Sequence, residues 1–371
     1  MPERVDHSLF IDAMLQPARL HAAKPAELDG IVRYARRAGL LANLAARAAR
    51  AGVRVEALDD LFEGAAVYAA EHTRRIQWEL QQLAPLLAGL EGPVVVLKGA
   101  AYLEMGLPSA EGRLVSDLDL LLPQQQLHQA ESLMLAHGYS AQKQDDYDQH
   151  YYRAWMHELP PMLHVARGTV VDLHHNIAPP VSRLKIDAGQ LFERAVPLGA
   201  DSPFLRLGDE DMVLHLCVHM FQDGELHNAL RELFDLDALL RRFAADEGYW
   251  TRLLGRARQL GLLRPLYYGV RFTRRLLHTP VPDGLVRYLE IAAPVQPLRL
   301  LIEGAMQRAI LPEPGERPGL ARGLSEQLLF LRAHWLRMPP RMLLRHLWTQ
   351  YRRRGGLKTG EQAAAHGGGD A

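Results

Sequence analysis

The sequence predicts an α+β protein, a small mixed sheet of about four or five strands flanked by N-terminal and C-terminal helical regions. Three observations carry this. Residues 7–90 and 209–353 are rich in Ala, Leu and Arg and have helical spacing of apolar positions. Residues 93–207 change to short apolar and β-branched runs bounded by Gly and Pro. Within them, two alternating segments flank Ala166-Arg167-Gly168, as a hairpin does.

Taken in order, the chain divides into a helical region at 1–90, an α/β core at 91–207, a helical domain at 208–355 and a tail at 356–371. From residue 7 the first region holds only Pro17 and Pro25 before Pro85, and residues 61–86 read as one long amphipathic helix. After Gly92-Pro93, Val94 to Leu97 is a strand, and 99–105 is a helix. Asp117 to Leu122 is a second strand, stopped by Pro123. Residues 124–137 form a helix capped by Gly138. Met162 to Val165 and Thr169 to His174 make the hairpin, and Leu205 to Leu207 adds an edge strand. Asp209-Glu210-Asp211 places acids in the first turn of the next helix. Breaks at Gly224, Gly248, Pro265, Pro280, Pro282, Pro312 and Pro314 divide the remainder into six or seven helices. The Gly- and Ala-rich end, 356–371, reads as disordered.

Composition narrows the function. Lys and Arg number 43, as do Asp and Glu, so no single-sign field argues for nucleic acid as partner. The one cysteine, Cys217, excludes an internal disulfide and a Cys-based zinc site, and fits a reducing, cytoplasmic setting. The first residues carry scattered charges without an apolar core, so no signal peptide is expected. No apolar run is long enough to predict a membrane span.

The chemistry concentrates at Asp117 and Asp119. Residues two apart on a strand share a face, so these carboxylates project together from the run Leu118, Leu120, Leu121, Leu122. Buried unpaired charge is costly, and a divalent metal is the simplest partner. Two-metal phosphoryl or nucleotidyl transfer usually adds a third carboxylate on a neighbouring strand, and Asp172 in Val170-Val171-Asp172-Leu173-His174 is the candidate. Leu97-Lys98-Gly99-Ala100 offers a strand end, a residue without Cβ and a helix start, suited to a phosphate. Lys98, one of five lysines against 38 arginines, supplies a point charge, and Arg113 a planar fork. Ser116 reads as a turn residue beside the site.

In this order the segments resemble an uncharacterised bacterial nucleotidyltransferase family of the polymerase-β-like superfamily. The residues that carry the resemblance are Leu97-Lys98-Gly99, Arg113, Asp117-Leu118-Asp119-Leu120-Leu121, Asp172-Leu173-His174 and Leu207-Gly208-Asp209-Glu210-Asp211. They are followed by a helix with His215 and His219 and by Arg231-Glu232-Leu233-Phe234-Asp235-Leu236-Asp237. The likeness spans roughly residues 30–300. It implies Mg²⁺, as one or two ions, on Asp117, Asp119 and Asp172, and an NTP donor over Lys98, Gly99, Ala100, Arg113 and Ser116. It also implies transfer of a nucleotidyl group to a hydroxyl acceptor with release of pyrophosphate. The acceptor is a small molecule, sugar or protein, with His174 a candidate for its pocket. Ala100 departs from the superfamily's Gly-Gly or Gly-Ser turn, and the spacing from the turn to Asp117 is long. The competing readings are a catalytically inactive binding or scaffolding protein and a toxin acting on tRNA or protein.

His215 and His219 lie four apart on a helix, but no Glu follows His215, so a zincin motif is excluded. Asp235 and Asp237, two apart on a helix, do not share a face. Residues 332–358 hold eight basic residues and no acid, with Trp335, Trp348 and Tyr351 interleaved. This segment is either a helix packed on the body or a contact for an anionic membrane or a partner.

Overall fold

The computed structural model describes residues 7–142, 146–222, 228–313 and 319–343. The architecture is α+β, as the sequence predicts, with one mixed sheet between helical regions. The sheet has seven strands rather than four or five: β1 Val95–Val96, β2 Asp117–Leu121, β3 Tyr139–Ala141, β4 Met162–His164, β5 Val170–His174, β6 Val196–Pro197 and β7 Leu205–Arg206. Their spatial order is β3-β4-β5-β2-β1-β7-β6. The additional strands, β3 and β6, are three and two residues long, too short for a periodic signal. β7 is not the edge strand expected. It pairs parallel with β1 and antiparallel with β6, which takes the edge.

The hairpin forms as expected. β4 and β5 pair antiparallel through Met162↔Val171 and Leu163↔Val170, and Gly168 turns the chain with φ +72°. Near the middle of the sheet β2 pairs antiparallel with β1 and parallel with β5. The parallel register sets Asp119 opposite Asp172 and Leu121 opposite His174. Leu118, Leu120 and Leu121 are fully buried.

The helix Lys98–Glu104 follows β1 and packs on β2, and the 29-residue helix Asp59–Leu87 packs against it and against the helix Leu127–Ala136. After β7, seven α-helices follow among the described residues, from Asp209–Gln222 to Leu320–Arg337. Buried apolar side chains form one contiguous cluster from Phe10 to Leu329. The N-terminal helix His7–Leu15 touches the helix Leu263–Leu277, so the first and last helical regions meet.

Residues 344–358 of the basic segment, and the tail at 356–371, lie outside the described residues. In its described part, Arg332 is committed to the body. Its Nη1 donates to the Phe221 carbonyl at 2.6 Å and its guanidinium lies over the Tyr268 ring. Trp335 is half exposed, with Arg183 stacked 4.6 Å from its ring. Among the described residues, no helix is long and apolar enough to cross a membrane.

Candidate active site

Strand alternation and strand register together build an acidic face. Asp117 and Asp119 share one side of β2, and β5 brings Asp172 beside Asp119 on that side. Asp119 is 4% exposed, whereas Asp117 is partly open and accepts a hydrogen bond from Ser116 Oγ at 2.8 Å.

The three carboxylates differ in what surrounds them. Asp119 Oδ1 accepts Lys98 Nζ at 3.0 Å and lies 2.9 Å from His174 Nε2. Burial works against the charge of Asp119, but the Lys98 ammonium and the His174 hydrogen bond outweigh it and hold the carboxyl well below the usual range. Asp172 has the opposite balance. Burial, then the neighbouring charge of Asp119, push its carboxyl up to about 7. Its Oδ1 is buried and has no hydrogen-bond partner. The unpartnered Asp172 oxygen, on the same strand face as Asp117 and Asp119, is a hard oxygen donor of the kind that fits Mg²⁺.

Lys98 sits where β1 turns into its helix, with φ +47°, a left-handed conformation that costs a non-glycine residue on the order of 1–3 kcal/mol. That turn aims the ammonium at Asp119. Burial opposes the Lys98 charge, yet Asp119 raises its pKa above the ordinary lysine value. His174 likewise rises: burial opposes its charge, and the Asp119 hydrogen bond and the Glu158 charge overcome it.

The neighbouring residues behave differently from the expectation in two places. Arg113 is 6% exposed and its Nη1 donates to Asp235 on the helix Ala229–Phe243, so the guanidinium ties the loop before β2 to the C-terminal helices. A Cβ on Gly99 would stand 2.8 Å from Arg113 Nε and 3.1 Å from Val115 Cγ2. The glycine therefore makes room for Arg113. Ala100 is 1% exposed and packs in the core.

Three residues to which the sequence reading gave no role in the site also lie in this region. Asp235 is the partner of Arg113. Glu158 Oε2 lies 3.4 Å from His174 Nδ1. Glu232 sends Oε1 to His219 Nε2 at 3.2 Å, while its Oε2 is buried without a hydrogen-bond partner. The available signal was acids at apolar-face positions of a helix and beside a strand. Asp237 is engaged elsewhere, by Arg241 Nε at 2.7 Å and Thr279 Oγ1 at 2.6 Å. His215 is buried, and burial together with the Lys98 charge holds its pKa well below the ordinary histidine value.

Three carboxylates on one face of the paired strands β2 and β5, next to a lysine-bearing strand-to-helix turn, are residue types suited to metal-assisted nucleotidyl transfer. A family model described as an uncharacterised nucleotidyltransferase matches residues 24–278. The chain belongs to this nucleotidyltransferase family. No curated protein matches the sequence.

Proposed function

We propose that the protein is a Mg²⁺-dependent nucleotidyltransferase that moves a nucleoside monophosphate from an NTP to a hydroxyl of a small molecule, sugar or protein. The observation that carries this is the Asp117, Asp119 and Asp172 face, with Asp172 Oδ1 buried and unpartnered. When bound, Mg²⁺ supplies charge neutralisation for the triphosphate and the developing transition state. Asp117 and Asp119 would hold it, and Asp172 would complete a second ion's site.

Asp172, beside Asp119 on the neighbouring strand, would also take the acceptor's proton. The acceptor oxygen forms a bond to the α-phosphorus, the bond from that phosphorus to the bridging oxygen breaks, and pyrophosphate leaves. Lys98 contributes positive charge to the phosphates. Ser116 steadies Asp117. Arg113 acts as a strut through Asp235 rather than as a phosphate fork. In this reading the α/β core at 91–207 carries the donor. The helix Ala229–Phe243 presents the acceptor with Glu232 and Arg231, whose Nε is also buried without a partner.

Isothermal titration of ATP or CTP with Mg²⁺ tests the metal site against Asp117→Ala/Asp119→Ala. Binding by the native protein and its loss in the variant support the site, whereas equal binding by both excludes it. The second reading, an inactive binding protein, is favoured by one observation: the Lys98 ammonium already neutralises Asp119. It requires that no donor releases pyrophosphate with any acceptor.

A further inference from the structure

We propose that His157, Glu158 and His174 form a binding site for a divalent transition-metal ion of the zinc type, distinct from the aspartate face. One ligand atom from each residue lies within 4.8 Å of the other two. His174 Nδ1 and Glu158 Oε2 are 3.4 Å apart, and roughly 3–4 Å separates adjacent ligand atoms around an ion with bonds of about 2.0–2.2 Å.

The backbone fixes this grouping. His175 N donates to the His157 carbonyl at 2.8 Å, and Leu159 N donates to the Leu173 carbonyl at 2.8 Å. These bonds lay residues 157–159 antiparallel along the end of β5, so that Glu158 and His174 face each other across a bridge. Main-chain hydrogen bonds thus fix the backbone positions of all three ligands relative to one another.

The donor types select the ion. Two imidazoles and one carboxylate suit Zn²⁺, Co²⁺ or a similar ion, whereas Mg²⁺ prefers oxygen alone. His157 and His174 are 8% and 2% exposed, while the Glu158 side chain is 23% exposed and leaves a way in. The far nitrogen of His174, Nε2, already lies 2.9 Å from Asp119 Oδ1. A ligating histidine commonly donates its second N–H to a carboxylate, which fixes its tautomer and ring orientation. Here that carboxylate is the central acid of the aspartate face. The ion would replace the proton that otherwise lets His174 bridge Asp119 and Glu158, and would hold Asp119 in place. The site goes beyond the nucleotidyl-transfer reading, because it forms without a nucleotide.

The test uses the full chain with Zn²⁺ and Co²⁺ as probes. Native protein exposed to Zn²⁺ and desalted into Mg²⁺ buffer should retain about one equivalent by elemental analysis. Co²⁺ should give the intense visible bands of a four- or five-coordinate site with nitrogen ligands. His157→Ala and Glu158→Gln should weaken Co²⁺ binding at least about tenfold. Asp117→Asn, which alters only the aspartate face, should retain Zn²⁺. The proposal is overturned if native protein keeps no Zn²⁺ above a blank, or if Co²⁺ gives only the weak bands of the octahedral aqua ion. It is also overturned if Asp117→Asn loses the ion while folded His157→Ala keeps it. The Co²⁺ spectrum of native protein decides the matter even where a variant fails to fold.

Discussion

Asp119 and Asp172 sit opposite each other on paired parallel strands, yet their environments drive them to opposite protonation states. Asp119 stays ionised through Lys98 and His174, and its charge in turn makes Asp172 reluctant to ionise. For Asp172, whose folded pKa lies above its unfolded value, the stabilising contribution is full below about pH 4. It is lost as pH rises through about 7. His174, also raised, acts in the same direction at higher pH. Asp119, which is depressed, loses its contribution only in acid below the ordinary carboxylate range. Comparison with a variant therefore isolates Asp172. In metal-free buffer Asp172→Asn should melt higher than native protein at pH 8, by a few kcal/mol at most, and the difference should shrink steadily through pH 6 and 5 and vanish only below about pH 4. Thermal melts across that pH range, with and without Mg²⁺, check this, and Mg²⁺ should restore the native protein toward the variant at pH 8.

The two acids of β2 should differ sharply in stability cost. Asp119→Ala leaves Lys98 and His174 without their shared carboxylate in a buried setting, at a cost of roughly 3–5 kcal/mol. Asp117 is partly open and accepts a hydrogen bond from its chain neighbour Ser116, so Asp117→Ala should stay within about 0.5 kcal/mol of native protein. Urea denaturation measures both. Asp117 is thus the position at which the aspartate face can be disabled while the fold is kept.

Arg113 is expected to act through Asp235. Arg113→Ala should destabilise by roughly 3–5 kcal/mol, because Asp235, 1% exposed, is left charged and unpaired. Replacing both, as Arg113→Met/Asp235→Leu, should recover most of that stability and leave Mg²⁺-nucleotide affinity within about threefold of native. Gly99→Ala, which crowds Arg113 Nε, should cost about 1–3 kcal/mol. Denaturation and isothermal titration on the same variants separate a strut from a phosphate ligand.

Lys98 Nζ lies 3.0 Å from Asp119 Oδ1, so its charge would compete with a cation at that carboxylate. Lys98→Met should therefore raise Mg²⁺ affinity in the absence of nucleotide by roughly threefold to tenfold, through loss of the competing charge. It should lower pyrophosphate release, through loss of charge at the phosphates. Titration of Mg²⁺ alone and a turnover assay check the two arms.

Much of this site was legible in the sequence because strand alternation is local. Asp117 and Asp119 had to share a face, and the hairpin around Gly168 placed Asp172 on a neighbouring alternating strand. The register of β2 against β5 was not legible, since parallel pairing joins segments that no tight turn connects. Nor were β3 and β6, which are three and two residues long and are held by their neighbours rather than by pattern. Arg113 illustrates a second limit. Its residue type suited a phosphate, but its partner is an acid 122 positions away on another helix. The His157, Glu158 and His174 grouping arises from a bridge outside the regular ladder, which no periodicity announces.

Pyrophosphate release with an NTP panel and Mg²⁺, using a lysate fraction as acceptor pool, tests the central claim most directly. Native protein and folded Asp117→Asn are run side by side. Release by the native protein with at least one donor, reduced about a hundredfold or more in Asp117→Asn, is the predicted result. Absence of release with every donor, or equal release by the variant, would contradict it.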